Sequence, residues 1–250
     1  MTLLLNSAMR FALMVPALMI GAAAQGRVVV ESSRVIYPEG AKEVSVRIEN
    51  AGSGTSLVQS WISEYGAKTD PSQSASPFVV VPPVVRLDGG KRQVLRLRRL
   101  GGDLPQDRES VFTLNVAEIP AGTAGEDKPS AVLNIVVRNR LKLFYRPQSI
   151  AKSRPGEAIG KLQWSVVPNG AGWALQARNE SPFHVSTVRA EVQVAGKTVE
   201  AQGVTMLKPM STQQFVLPGV TTRPTASTVS FKYINEHGGA VEQTASLQAH

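Results

Sequence analysis

The sequence contains no cysteine, so neither disulfide bonds nor thiolate-bound metal sites contribute to its fold. It has three histidines, His184, His237 and His250, and none stands at metal-ligand spacing from another. The motifs of zinc proteases, serine hydrolases and nucleotide-binding loops are also missing. These absences argue against an enzyme, against a catalytic residue set and against a bound metal or cofactor.

Aromatic residues are scarce and the basic residues are scattered. Aromatics make up 6% of the chain, and the net charge of +8 includes no run of five consecutive basic residues. In the densest basic stretch, Arg96 and Arg98 alternate with leucines, whereas proteins that bind single-stranded nucleic acid interleave basic with aromatic side chains. The pattern therefore predicts a solvated strand face and argues against a nucleic-acid partner.

Residues 1–24 have the three-part pattern of a secretory signal. One arginine precedes an apolar run, and small residues follow, with Ala22 and Ala24 at the positions before a cleavage site. The run is short and contains a proline, which disfavours a membrane span; an uncleaved anchor is the competing interpretation. We predict that residues 1–24 are removed and that the mature chain, starting near Gln25, acts outside the cytoplasm without inserting into a membrane.

Beyond residue 26, helical periodicity is almost absent, and short β-branched runs alternate with turn residues about every ten positions, a pattern typical of β-sandwiches. RVVVESSRVIY and PFVVVPPVVRL are each predicted as one strand, and STVSFKYIN is the last strand predicted. A Pro-rich joint at 146–155 separates two sets of such runs. The sequence predicts an all-β fold of two immunoglobulin-like sandwich domains, residues 25–147 and 148–250, with an interdomain cleft between them. Trp164 and Trp173 are predicted to anchor the second core.

One predicted strand, in the stretch PSAVLNIVVRNRLKLFYRP, is apolar on both faces at its start. Leu133, Ile135 and Val137 point one way, and Val132 and Val136 point the other, because side chains alternate along a strand. The first row is either ordinary core or an apolar face without an internal partner. An uncovered apolar strand invites pairing with a foreign chain.

Several segments together resemble the periplasmic chaperones of pilus and fimbrial assembly, the PapD-like family. The matches occur in the same order along nearly all of the mature chain, and the combination of LPQDRES with LNIVVRNRLKLFYRP is the most specific. They are ESSRVIYPEG, PPVVRLDGGKRQVLRL, LPQDRES, LNIVVRNRLKLFYRP and YINEHGGA.

The resemblance implies a boomerang of two immunoglobulin-like domains that works in the periplasm without ATP. Such a chaperone binds pilus subunits, which are sandwiches lacking one strand, and delivers them to an outer-membrane usher. The chaperone fills the subunit's groove with its own strand, a process called donor-strand complementation. Here the donor row is expected to be Leu133, Ile135 and Val137. We expect the free protein to cover this row, by self-association or by a loop.

The resemblance also implies an anchor for the subunit's C-terminal carboxylate, formed by Arg34 and Lys142. Two cations that converge on one carboxylate make short charge-assisted hydrogen bonds. Each residue alone is as readily interpreted as a solvated surface cation. Lys142 is even-numbered and the donor row is odd-numbered, so simple alternation places them on opposite faces of the strand. We expect a bulge near 138–140 to bring them to the same face.

The family uses charged residues at the domain joint to fix the cleft. The matching positions here are Glu109, Arg146 and Glu236, where an aspartate is expected in place of Glu236. The alternative function is a secreted β-sandwich protein that is itself a structural or adhesive fibre subunit. A carbohydrate-binding module comes third, because aromatic residues are few.

Overall fold

The computed structural model describes residues 28–67, 75–120 and 136–248, and within these ranges the chain is almost entirely strand and turn. A four-stranded and a five-stranded sheet form the first domain, and one seven-stranded sheet forms the second. The prediction of an all-β fold with two immunoglobulin-like sandwich domains is confirmed. The strands are β1 (Val28–Val30), β2 (Arg34–Pro38), β3 (Val44–Asn50), β4 (Ser56–Glu64), β5 (Phe78–Val81), β6 (Val84–Leu87), β7 (Arg92–Arg99), β8 (Ser110–Pro120), β9 (Val137–Arg146), β10 (Gln163–Asn169), β11 (Gly172–Asn179), β12 (Thr187–Val194), β13 (Lys197–Glu200), β14 (Ser211–Leu217), β15 (Thr228–Ile234) and β16 (Ala240–Gln248).

The first domain packs sheet β1-β3-β7-β5 against sheet β2-β9-β8-β4-β6. Alternating apolar residues of the strands meet between the sheets, as expected for strands with one buried face. Phe78 lies at the centre of the aromatic part of this core, with its ring centroid 5.1 Å from those of Tyr37 and Phe112. The core therefore forms without disulfide bonds.

Two predicted strands of the first domain are each divided between the two sheets. The run RVVVESSRVIY becomes β1, paired with β3, and β2, paired with β9. The run PFVVVPPVVRL becomes β5, paired with β7, and β6, paired with β4. Prolines 82 and 83 separate the second pair because proline lacks the N–H that a ladder needs. The chain thus crosses from one sheet to the other at both places.

The second domain folds one sheet into a sandwich. Strands β13-β12-β15-β16 form one half and β10-β11-β14 the other, joined where Trp164 of β10 pairs in parallel with Leu247 of β16. Trp164 is fully buried between them, with its ring 5.2 Å from Phe231 and 6.3 Å from Phe215. Trp173 packs against the same core while partly exposed, so both tryptophans serve packing as expected.

The connection between the domains contains the only regular helices among the described residues. A 3₁₀ turn covers Gln148–Ile150, and a short α-helix, α1, covers Pro155–Gly160. Proline is favoured at the first helical position because it needs no N–H partner there. Ile150 and Ile159 are buried in the core of the second domain, so the joint is fixed to that domain.

The expectation of a bulge near 138–140 is wrong. Strand β9 pairs with β8 in regular antiparallel register from Val137 opposite Glu118 to Tyr145 opposite Ser110. Odd-numbered and even-numbered residues of β9 lie on opposite faces of the strand, and the two faces have different surroundings. Leu141 and Leu143 lie in the core of the first domain, whereas Lys142 is on the opposite face.

Some predictions fall outside the described residues. They are the signal segment, residues 1–24, and two members of the expected donor row, Leu133 and Ile135. Val137 is the first residue of β9 and is half-buried, and its neighbour Val136 is 54% exposed.

Candidate functional site

Parallel pairing of β2 with β9 brings Arg34 next to Lys142. The two residues are direct partners in the ladder, followed by Val35 with Leu143 and by Ile36 with Phe144. Because side chains alternate, Arg34 and Lys142 share the face that carries Ile36 and Phe144, away from the core of the first domain. Two cations 108 positions apart in sequence are thus neighbours on one face of the sheet.

Both cations are half-buried, which makes their charges costly. Burial lowers the pKa of Lys142, and the adjacent charge of Arg34 lowers it further. Burial also lowers the pKa of Arg34, against the opposing effect of Glu236 and Glu109, but an arginine stays charged in proteins. Within the described ranges, neither Arg34 nor Lys142 forms a salt bridge. The pair can therefore accept an anion.

The hydrogen-bonding capacity of Arg34 is mostly unused. One terminal nitrogen, Nη1, donates to the carbonyl oxygen of Ile234 in the second domain over 3.1 Å. Its Nε is buried and has no hydrogen-bond partner among the described residues. A guanidinium carries five N–H donors in a planar fork that matches a carboxylate. The fork thus retains donors for a ligand after binding Ile234.

The edge of β9 beside these cations is open over half of its length. Strand β2 covers that edge from Lys142 to Arg146, and β1 pairs with β3 instead of continuing along it. Among the described residues, the segment Val137–Leu141 therefore has no strand on the side opposite β8. A groove there is lined by β1 and by Val137 and Leu141. An open strand edge is a template for pairing with another strand.

The predicted joint residues do meet in the structure. Nε of Arg146 lies 2.9 Å from Oε1 of Glu109, and its Nη2 forms an ion pair with Glu236. Arg146 also lies over the ring of Phe183, 5.4 Å from its centroid. Glu109 and Arg146 belong to the first domain, and Glu236 and Phe183 belong to the second. One guanidinium therefore links the two domains.

His184 is a joint residue that sequence reasoning missed. Its backbone N–H donates to Oε2 of Glu109 over 2.9 Å, and its Nδ1 is also 2.9 Å from that oxygen. Its ring lies 5.6 Å from the ring of Phe144. A single histidine that follows Phe183 has no spacing signal, so only the fold could reveal this contact.

A cavity of about 190 Å³ lies between the domains next to Arg34. Apolar side chains such as Phe144, Ile159 and Tyr233 line it together with Arg34 and His184. Across the described part of the chain, no cluster of three or more acidic or histidine side chains is arranged to hold a metal. No helix in these ranges has the length and apolar character needed to cross a bilayer.

Two family comparisons cover nearly all of the described chain. Residues 27–151 match "Pili and flagellar-assembly chaperone, PapD N-terminal domain", and residues 157–245 match "Pili assembly chaperone PapD, C-terminal domain". The chain therefore belongs to the PapD family of pilus assembly chaperones.

Individual relatives agree with this assignment. The probable fimbrial chaperone YadV of Escherichia coli K12 is 35% identical over 222 residues, which covers 88% of this chain and 89% of YadV. The chaperone protein FimB/FhaD of Bordetella pertussis is 35% identical over 229 residues, covering 90% of each chain. These relatives are chaperones, and not the fibre subunits that formed the alternative interpretation.

Solved structures share the fold over nearly nine-tenths of the chain. The crystal structure of YadV has a TM-score of 0.74 at 34% identity and covers 89% of this chain and 100% of its own. The SafB chaperone, solved in complex with the Salmonella enterica SafA pilin, has a TM-score of 0.69 at 27% identity. That comparison covers 88% of this chain and 96% of the matched chain.

The joint geometry predicts that Arg146→Ala lowers the free energy of unfolding by about 3 kcal/mol, because it leaves the nearly buried carboxylate of Glu109 without its guanidinium. Urea denaturation measures this change. Arg108→Ala is the control, since its pair with Asp107 is exposed and should contribute nothing measurable. Equal effects of the two variants would contradict the role of Arg146 as a link between the domains.

Proposed function

We propose that this chaperone acts in the periplasm, captures pilus subunits by donating part of β9 to them and delivers them to an outer-membrane usher. The family assignment supports a chaperone of pilus assembly. SafB, which has the same fold, was solved in complex with a pilin. The strand donation, the residues that perform it and the delivery step are the parts that we infer.

The observation that carries the proposal is the position of Arg34 and Lys142 directly below the open edge of β9. Among the strands that the structure describes, none pairs with this edge from Val137 to Leu141, and the two cations stand at the next ladder position, where β2 begins. A client strand that pairs with this edge would end beside the cations. Its terminal carboxylate would then receive charge-assisted hydrogen bonds in a half-buried site, where screening by water is weak.

Each face of β9 has a different role in the proposed capture of a client. The odd-numbered row contributes Leu141 and Leu143 to the chaperone's own core and continues through Val137 toward the expected donor residues Ile135 and Leu133. A client sandwich that lacks a strand would receive this row as an extension of its core. Burial of each apolar side chain contributes about 1.5–3 kcal/mol.

The anchor on the opposite face would fix the register of the client strand. Backbone ladder bonds alone allow a strand to slip, and a slip of one residue turns every side chain to the other face. A carboxylate bound at Arg34 and Lys142 defines where the client strand ends. Ladder bonds then provide sequence-tolerant affinity, which suits a chaperone with several related clients.

The anchor is tested with a fluorescently labelled peptide of alternating Val and Ser residues, prepared with a free C-terminal carboxylate or as an amide. Arg34→Ala and Lys142→Ala should each weaken binding of the carboxylate peptide by about 2–5 kcal/mol, which is roughly 30-fold or more. Fluorescence anisotropy gives both affinities. The amide peptide serves as the internal control and should bind all variants equally. If both variants bind the carboxylate peptide as tightly as the wild-type protein does, the proposed anchor is wrong.

The donor row is tested by replacing Leu133, Ile135 and Val137 with Ser, which should sharply reduce co-purification of pilus subunits from the periplasm. Removal of three apolar side chains costs the complex on the order of 5 kcal/mol. The matched control is Val132→Ser with Val136→Ser, which the sequence pattern predicts to lie on the other face of the strand. If the first variant fails to accumulate as a folded protein while the control does accumulate, the row is core and the proposal is wrong.

The lowered pKa of Lys142 predicts a loss of carboxylate binding in the alkaline range. At pH values below the pKa that Lys142 has in the peptide-free protein, Lys142 is charged and the affinity for the carboxylate peptide is at its maximum. A bound carboxylate raises that pKa, so affinity falls as pH rises from the free-state pKa to the bound-state pKa. Titration with a peptide that lacks ionisable side chains measures this decline. Lys142→Arg stays charged and should bind independently of pH over the same range; a wild-type affinity that is equally constant would contradict the role of Lys142.

A further inference from the structure

The turn between β15 and β16, residues Ile234–Gly239, contacts the first domain at three points around Arg34. The carbonyl oxygen of Ile234 accepts the hydrogen bond from Arg34, and Glu236 forms an ion pair with Arg146. Gly238 packs against Ser33, the residue before Arg34. This turn belongs to the second domain, yet it surrounds a residue that the first domain supplies to the anchor.

Internal hydrogen bonds make the turn a defined structure. The side-chain oxygen of Asn235 accepts the N–H groups of His237 and Gly239 over 3.0 and 2.9 Å. The N–H of Asn235 donates to the carbonyl of Gly239 over 2.9 Å, and the N–H of Ile234 donates to Ser186. These bonds fix the direction in which the Ile234 carbonyl points, because a turn closed by an Asn side chain has few alternative conformations.

Gly238 sets how closely the turn approaches the first domain. Its φ of +86° lies in the left-handed region that favours glycine. A Cβ at this position would overlap the hydroxyl oxygen of Ser33 and lie 3.2 Å from its Cβ. A larger residue would therefore require the Ser33 hydroxyl to rotate away and the turn to move from the Cβ of Ser33, which would shift the Ile234 carbonyl relative to Arg34.

Arg34 needs such a contact because its position in β2 fixes only its backbone. The side chain has several rotatable bonds, and the hydrogen bond to Ile234 is the one that orients its guanidinium among the described residues. Its Nε has no partner within these ranges. The second domain thus determines where the donors of the guanidinium point.

We propose that the β15–β16 turn is a positioning element for Arg34, through which the second domain controls recognition of the client's terminal carboxylate without contacting it. This inference rests on the proposed function, since it assigns the turn a role in the anchor. It explains why capture at an edge of the first domain would require the second domain. It also predicts that damage to the turn affects the carboxylate selectively and leaves strand pairing intact.

The test measures the ratio of affinities for the carboxylate and amide forms of the Val–Ser peptide by fluorescence anisotropy. Gly238→Ala should reduce this ratio about tenfold or more, since a displacement of about 1 Å can disable a positioned group. Gly196→Ala is the matched control, because Gly196 has a similar φ of +77° in the same domain and no atom within 4 Å of an added Cβ. It should keep the wild-type ratio.

Two further variants separate positioning from general damage. Ser33→Ala combined with Gly238→Ala removes the hydroxyl that the new methyl group meets, and it should restore much of the ratio. Asn235→Ala opens the turn without adding any atom, and it should lower the ratio while the affinity for the amide peptide stays unchanged. Thermal unfolding of each variant shows that the domains remain folded.

The outcomes distinguish this inference from the proposed function. A wild-type protein that binds both peptides equally would overturn the anchor itself. If wild type prefers the carboxylate and Gly238→Ala retains that preference as Gly196→Ala does, the positioning role is wrong and the anchor stands. Equal losses for both peptides in Gly238→Ala and Asn235→Ala would also overturn it, because a positioning contact affects only the carboxylate.

Discussion

The short parallel ladder between β2 and β9 is the interaction on which the rest of the site depends. It begins at Arg34 with Lys142 and ends at Pro38 with Arg146. Its first position places two cations side by side, and its last position brings Arg146 to the joint with the second domain. Because β2 begins at Arg34, the edge of β9 opposite β8 has no strand beside it from Val137 to Leu141 within the described part of the chain. A longer β2 would close the edge and separate the cations from it.

Strand alternation then assigns each face of β9 to a different task. The odd-numbered side chains Leu141 and Leu143 hold the first domain together, and the even-numbered Lys142 and Phe144 lie on the opposite face, where Phe144 lines the cavity at the joint. A regular strand achieves this without a bulge, which is why the regular register of β8 and β9 is informative. Val137, the last residue of the row proposed for the client, lies on the same odd-numbered face and is separated from Leu141 by Asn139, so under the proposed function one strand would stabilise two sandwiches in succession.

Local sequence patterns predicted most strands of both domains, since β-branched alternation and turn residues directly reflect burial on a sheet. Strand β16 was missed because Gln243 and Ala245 give its half-exposed face little apolar contrast. Helix α1 was missed because six residues are too few to establish a period. The division of one run into β1 and β2 depends on which sheet each half joins, a long-range property. Glu109, Arg146 and Glu236 were predicted only through the family resemblance, and His184 had no local signal.

The charges of the joint agree with the proposed binding of one anion in the cleft. The negative charges of Glu109 and Glu236 act on Arg34, and each raises the pKa of Arg34. Both, however, are ion-paired to Arg146, which satisfies them at the domain boundary. Arg34, Lys142 and Arg146 together carry one more charge than the two glutamates, and that excess remains where Arg34 and Lys142 meet. A single terminal carboxylate would neutralise it. The contact that holds the two domains together therefore also keeps their acids paired away from Arg34 and Lys142, so the joint would be part of the proposed recognition site.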